Sequence, residues 1–236
     1  MKILHLYHDI MNLYGDYANI TAITKLCRLI GEDCTVDRRT VGGAADLSAY
    51  DFLYIGSGTE RNMKVVLDDL RRYRDDLIAY ADSGKAALFT GNSFETLGKS
   101  ITGADGNTAD GLALFDFTVT EQNKTRLVGD VIYECGFLDR PLVGFVNKCS
   151  EIHGVKDPLF TVKMGLGNAD GETGEGIRKN NLFGTHLTGP ALVKNPHLLG
   201  YIVSLILGQE VRTDALVYEN RAYEVTLNGL TARMNG

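Results

Sequence analysis

Short apolar runs alternate with longer stretches of helical period through the first hundred residues. Ile3-Leu4-His5-Leu6-Tyr7, Asp51-Phe52-Leu53-Tyr54-Ile55 and Ala86-Ala87-Leu88-Phe89-Thr90 each read as a buried strand. Between the first two, Ile20, Ile23, Leu26 and Ile30 recur at helical spacing up to Gly31. Leu67, Leu70, Leu77 and Ala81 mark one face of a long charged helix that Gly84 would cap. Strands alternating with helices predict a parallel sheet covered on both faces. The second half changes to short β-rich segments near residues 114–120, 126–134, 142–147, 159–164 and 182–187, separated by glycine turns. These predict antiparallel extensions of the same sheet. Pro196 to Leu207 reads as a closing helix, and a last one is expected from 214 to about 233, with Leu216, Tyr223, Leu227 and Leu230 on one side. No linker, repeat or low-complexity stretch divides the chain, so one α/β domain is expected.

Composition narrows the class. The 236 residues are 44% hydrophobic and 23% charged, which excludes a disordered chain. Glycine is in excess, 27 of 236 residues, so many tight turns or close backbone approaches are expected. The 24 basic and 30 acidic side chains leave a net charge of −6, and no basic cluster exceeds Arg71-Arg72, so nucleic acid is not expected as the partner. No apolar run reaches the roughly 18 residues of a membrane helix, and the start lacks the apolar core of a signal peptide. A cytoplasmic chain without membrane insertion is therefore expected. Cys27, Cys34, Cys135 and Cys149 form no C-x-x-C pair, so free thiols and no zinc are expected, and no motif calls for a cofactor.

Ligands of open parallel sheets bind at the carboxyl ends of the strands, and three loops lie there: 9–19, 56–61 and 91–97. Gly56-Ser57-Gly58-Thr59-Glu60-Arg61 lacks the third glycine of a dinucleotide loop, since Arg61 stands in its place. It reads either as a cradle of backbone N–H groups for an oxyanion or as a tight strand-to-helix turn, and taken alone it favours the turn. Thr90-Gly91-Asn92-Ser93-Phe94-Glu95-Thr96-Leu97-Gly98 is a strand–turn–helix elbow of the kind that exposes a nucleophile. Ser93 invites that reading, but Glu95 replaces the expected glycine, and a polar helix start capped by Asn92 or Ser93 is the better account. His186, in Gly184-Thr185-His186-Leu187-Thr188-Gly189-Pro190, lies on an alternating strand where burial competes with catalysis. His5, His8, His153 and His197 show no metal-like spacing.

Taken in order, these segments resemble a known family. Leu6-Tyr7-His8-Asp9-Ile10-Met11-Asn12-Leu13-Tyr14-Gly15-Asp16-Tyr17-Ala18-Asn19-Ile20 is similar to the opening of the glutaminase subunit of lipid II isoglutaminyl synthase. That subunit belongs to the cobyric acid synthase-like branch of class I glutamine amidotransferases. The resemblance continues through Ile55-Gly56-Ser57-Gly58, residues 91–98, Thr125-Arg126-Leu127-Val128-Gly129-Asp130, Gly144-Phe145-Val146-Asn147 and 181–196, and spans residues 3 to about 207. It implies a flavodoxin-like three-layer sandwich, mostly parallel with antiparallel extensions, over residues 1–210, with 211–236 as a helical extension.

In the family, an elbow cysteine attacks the glutamine amide, a histidine relays the proton, and ammonia passes to a Mur ligase-like synthetase that amidates the D-glutamate of lipid II. Here both chemical positions differ. Gly91 stands at the cysteine position, Asn92 at the next glycine, and Thr188 at the histidine. His186 is two residues away, which on a strand keeps the same face but moves the side chain by about 6–7 Å. Losing a nucleophile or its base costs about 10⁶ in turnover. By resemblance, Arg126 falls at the glutamine-binding arginine and Gly56, Ser57 and Gly58 at the oxyanion loop. The resemblance thus implies a catalytically degenerate subunit that pairs with a Mur ligase-like synthetase in a heterodimer and still meets glutamine. The alternatives are an active glutaminase with a relocated nucleophile, Cys149 or Ser93, and a plain nucleotide-binding α/β protein.

Overall fold

Runs in which every side chain is buried belong inside a sheet covered on both faces, and three such runs set the centre of this molecule. They are Phe52–Ile55, Ala86–Thr90 and Leu182–Thr185. The structure is a computed structural model and describes residues 1–122 and 126–235. Thr125 of the resemblance motif lies outside the described residues.

In chain order the strands are β1 (Lys2–Leu6), β2 (Thr35–Arg39), β3 (Phe52–Ile55), β4 (Ala86–Thr90), β5 (Ser100–Thr102), β6 (Thr108–Asp110) and β7 (Thr118–Glu121). They continue as β8 (Leu127–Glu134), β9 (Leu142–Lys148), β10 (Ser150–His153), β11 (Phe160–Met164), β12 (Gly174–Glu175), β13 (Ile177–Lys179) and β14 (Leu182–Thr185). The helices are α1 (Tyr17–Leu29), α2 (Glu60–Leu70), α3 (Arg74–Asp82), α4 (Ala191–Lys194), α5 (Pro196–Leu207) and α6 (Val217–Asn235).

The central sheet has the order β13-β14-β4-β3-β1-β2, parallel except for β13. Alternation along its strands separates two cores. Leu53, Ile55, Ala87 and Phe89 face Met63, Val66 and Leu70 of α2 and Leu77 of α3. Phe52, Tyr54, Ala86 and Leu88 face Ile20, Ile23 and Leu26 of α1 and Leu198, Leu199 and Ile202 of α5. The result is a three-layer α/β sandwich.

The second half departs from expectation. Only β13 extends the central sheet antiparallel. The segment near 182–187 is β14, which joins the central sheet parallel to β4, and the other segments belong to two separate four-stranded sheets, β10-β7-β5-β6 and β12-β11-β8-β9. The polar pattern marks these segments as extended but carries no information on pairing, and β8 satisfies its backbone against β9 over seven residue pairs instead. β2, Thr35-Val36-Asp37-Arg38-Arg39, is an edge strand too polar to stand out as an apolar run. The long charged helix is two, α2 and α3, divided by a tight 3₁₀ turn at Arg71–Tyr73. The last helix, α6, starts at Val217 and buries Tyr223 and Leu230 against Ile132 of β8 and Val143 of β9.

Candidate functional site

β4 delivers the chain to the elbow. Thr90 is still extended, Gly91 turns at φ +60, and a 3₁₀ run, Gly91–Leu97, follows in place of the expected α-helix. A non-glycine residue holds that φ only at a cost of about 1–3 kcal/mol. Space is the second constraint. A Cβ on Gly91 would stand 2.5 Å from Ser57 Cβ and 2.6 Å from Ser57 Oγ, so the Ser57 side chain occupies the room a nucleophile at residue 91 requires.

The residues after the bend are turned inward. The fully buried Ser93 hydroxyl lies 2.8 Å from Thr90 O and 3.1 Å from Ile55 O, donating to backbone carbonyls. Neither Asn92 nor Ser93 caps a helix, contrary to expectation. The Asn92 side chain instead clasps the neighbouring loop: its Oδ1 accepts from Gly58 N–H at 3.0 Å and its Nδ2 donates to Gly58 O at 2.9 Å.

The Gly56-Ser57-Gly58 loop packs against the 9–19 loop, and both glycines are required by contact. A Cβ on Gly56 would meet Met11 O at 2.4 Å, and one on Gly58 would meet Met11 Sδ at 2.3 Å. Ser57 N–H donates to Asp16 Oδ2 at 2.7 Å, and the Thr90 hydroxyl donates to the same oxygen at 2.9 Å. Asp16 is fully buried, and burial pushes its carboxyl up to about 6, against the lowering effect of those two donors. An oxyanion arriving at this loop would meet N–H groups already bonded to a carboxyl group and an amide.

The replaced base is equally committed. Thr188 Oγ1 donates to Phe145 O at 2.9 Å. His186 lies just past the end of β14, 2% exposed, in a sealed polar network. Its Nε2 is 2.9 Å from Glu95 Oε1, its backbone N–H donates to Glu175 Oε1 at 2.7 Å, and Nδ1 has no hydrogen-bond partner. Ser150 Oγ donates to Glu95 at 2.6 Å, Thr185 Oγ1 donates to Glu175 at 2.6 Å, and the buried Lys148 Nζ donates to Gly167 O and Asn168 O. Burial lowers the His186 pKa despite Glu95, lowers that of Lys148, and raises the Glu175 carboxyl to about 7. A neutral imidazole donating from Nε2 to Glu95 fits these contacts.

Arg126, just before β8, points its fork at the chain itself. Nη1 donates to Glu60 Oε1 at 2.6 Å, Nε to Asn147 Oδ1 at 2.6 Å and Nη2 to Asn147 O at 3.3 Å. Thr59 caps α2 by accepting from Asn62 N–H, which fixes Glu60 at the helix start. Burial pushes the Glu60 carboxyl up, but hydrogen bonds from Arg126 and Cys149 outweigh it, and the group ends below its usual range. Cys149 Sγ lies 3.2 Å from Glu60 Oε1, and burial together with that carboxylate pushes its thiol up to about 12. A protonated thiol is a poor nucleophile.

The structure thus brings Gly91, Asn92, Ser57 and Gly58 together, gathers Arg126 with Cys149, and seals His186 behind the elbow. Asp16 and Glu60, which fill the two polar sites, were not singled out in the sequence; each sits in a quoted motif, Asp16 after Gly15 and Glu60 two residues past Gly58, the only signal available. Among the described residues no cluster of three or more His, Cys, Asp or Glu is placed to hold a metal ion.

Residues 2–196 match the CobB/CobQ-like glutamine amidotransferase domain. The chain is 28% identical over 221 residues to the lipid II isoglutaminyl synthase (glutamine-hydrolyzing) subunit GatD of Streptococcus pneumoniae, covering 91% of this chain and 85% of that one. It is 30% identical over 203 residues to GatD of Staphylococcus aureus, covering 86% and 83%. A solved glutamine amidotransferase superposes with a TM-score of 0.55 at 13% identity over 86% of this chain and 98% of its own. Another, from Thermotoga maritima, gives 0.54 at 11% identity over 99% and 97%, and these two likenesses show the class I amidotransferase fold. By sequence and by fold, the chain belongs to the CobB/CobQ-like glutamine amidotransferase family.

Proposed function

We propose that this chain is a catalytically degenerate glutamine amidotransferase-like subunit, acting in the cytoplasm as a binding and scaffold partner of a Mur ligase-like synthetase that amidates the D-glutamate of lipid II. Residues 1–210 would be the amidotransferase-like domain and 211–236 its helical extension, and the two subunits would form a heterodimer. The likeness to the two GatD subunits supports the reaction class. One observation carries the degeneracy: the Ser57 side chain fills the place of a nucleophile at Gly91, while Asp16 and Asn92 hold the N–H groups of Ser57 and Gly58. Acyl transfer from glutamine needs a thiolate beside a base and free donors for the tetrahedral oxyanion. Gly91 and Thr188 supply neither nucleophile nor base. The synthetase would then draw on free ammonia, with this subunit contributing surface rather than chemistry.

A relocated nucleophile has less support, since the Ser93 hydroxyl is bonded to two carbonyls and the Cys149 thiol is pushed up to about 12. The purified protein incubated with glutamine is expected to release no glutamate above background, and turnover near 1 s⁻¹, an ordinary enzyme rate, would overturn the proposal. A glutamine-analogue electrophile is expected to leave the intact mass unchanged; an adduct on Cys149 or Ser93 would instead establish the relocated site.

A further inference from the structure

The carboxyl edge of the central sheet holds a second concavity, separate from the elbow. It lies where β1 and β2 end and α1 begins, has a volume of about 230 Å³, and is lined by His5, His8, Asn12, Tyr17 and Arg38 among others. That volume is below the roughly 300–1,000 Å³ of sites for drug-sized ligands, so it suits a compact group. His5 is 2% exposed and its Nε2 has no hydrogen-bond partner. Buried ring nitrogens are normally satisfied, and the His5 ring forms part of the cavity wall.

Of the remaining polar groups, Arg38, Asn12, Tyr17 and His8 can donate, while the Thr21 and Thr24 hydroxyls donate to the carbonyls of Tyr17 and Thr21. Asn12 Oδ1 already accepts from Tyr17 N–H at 2.8 Å, which leaves its NH₂ for the cavity. Arg38 makes no ion pair among the described residues, and no carboxylate lines the cavity. A guanidinium, a carboxamide NH₂, a phenol and two imidazoles without an internal counter-charge make a field that attracts anions. Burial, His8 and Arg38 together push the His5 pKa down to about 3, so its ring is neutral and can donate without a charge of its own.

We propose that this cavity binds a small oxyanion, a phosphoryl or carboxylate group, seated between Arg38, His8 and the unpartnered Nε2 of His5. The site is independent of the elbow's chemistry. The two are neighbours, linked by the His5–Tyr54 ring contact, at 5.1 Å between centroids, by the 3.0 Å hydrogen bond from Tyr54 to Thr90, and by the 2.8 Å hydrogen bond from Leu13 N–H, next to Asn12, to Ser57 O.

The test is a titration of the full chain with inorganic phosphate and, separately, succinate. Ring signals of His5 and His8 are followed by nuclear magnetic resonance at fixed pH and ionic strength. At least one anion is expected to move both rings along a saturating curve, and the better-binding anion names the source. Arg38→Ala, on an exposed edge strand where the fold does not depend on it, is expected to weaken binding tenfold or more, the loss of a charge-assisted bond. Asn12→Ala should weaken it less. No saturation with either anion up to about 50 mM, or unchanged affinity in Arg38→Ala, overturns the proposal.

Discussion

The elbow and the β1–β2 cavity occupy the same edge of one sheet and differ in where their polar groups find partners. At the elbow, Ser57 N–H is bonded to Asp16, Gly58 N–H to Asn92, and the Arg126 fork to Glu60 and Asn147. In the cavity, Arg38 faces no carboxylate and His5 Nε2 is buried without a partner. A motif marks where a family carries out chemistry, whereas a cavity lined by donors with no internal counter-charge marks where an anion can bind. An unpartnered buried atom alone does not decide it, since Asp16 Oδ1 and His186 Nδ1 are also without a partner. An unpaired buried donor or acceptor costs about 1–3 kcal/mol. A chain that gives up a substrate therefore lowers its free energy by filling the vacated contacts with its own side chains. On the degenerate reading, Asn92 and Ser57 would be such fillings.

If Ser57 fills the nucleophile's place, restoring sulfur alone must fail. Gly91→Cys is expected to destabilise the protein by about 2–6 kcal/mol, from the left-handed φ and from overpacking against Ser57, read from denaturant midpoints. Adding Ser57→Gly should recover the overpacking share and leave the backbone share, a coupling of about 1–3 kcal/mol in a double-mutant cycle. Additive effects would mean that Ser57 is free to swing away and that the elbow is open, like the cavity.

Asp16 gives the elbow a pH signature opposite in sign to that of His5 in the cavity, whose lowered pKa favours the folded state as pH rises. Its folded pKa of about 6 lies above the ordinary 3.8, so the folded state holds the proton more tightly than the unfolded one. The carboxyl's contribution is therefore fully favourable below about pH 4 and is lost as pH rises through about 6, a total of about 3 kcal/mol. Asp16→Asn keeps an acceptor for Ser57 N–H and the Thr90 hydroxyl without the charge. Relative to wild type, it is expected to gain stability between pH 4 and 7, and a flat difference across that range would place the Asp16 charge in contact with solvent.

Much of this architecture was legible because burial on both faces leaves uninterrupted apolar runs. β1, β3 and β4 announce themselves that way, and the alternation of Phe52 and Tyr54 with Leu53 and Ile55 assigns the layers. β2 was not legible, because an edge strand needs no apolar run, and the separate sheets of the second half were not, because pairing is a long-range choice. At the site, the order of motifs pointed to the family, and the Gly91 and Thr188 departures were visible as letters. What took their place was not. Ser57 reads as one more residue in a glycine turn until the elbow folds over it, and Glu60 reads as a helix-start acid until Arg126 arrives from 66 residues away.

Smaller effects separate a filled site from a merely inactive one. The Cys149 thiol, pushed up to about 12, is expected to react with iodoacetamide at pH 7.5 at least about 100-fold more slowly than an unperturbed cysteine of pKa near 8.5. Glu60→Gln should narrow that gap by removing the neighbouring charge. Labelling at the ordinary rate would make Cys149 an exposed thiolate.

If Arg126 is the glutamine-binding arginine that the resemblance implies, Glu60 competes with the amino acid's carboxylate for a fork that already holds one. Wild-type protein is expected to give no heat with millimolar glutamine in a calorimeter. Glu60→Ala is expected to show binding improved by about tenfold, the scale of a charge-assisted hydrogen bond regained. Arg126 and Glu60 are both partly exposed, so the internal pair is worth little in stability, and the variant should fold as well as its parent. Binding of equal strength in both proteins would mean that Glu60 yields readily, and that the elbow, like the cavity, still waits for a ligand.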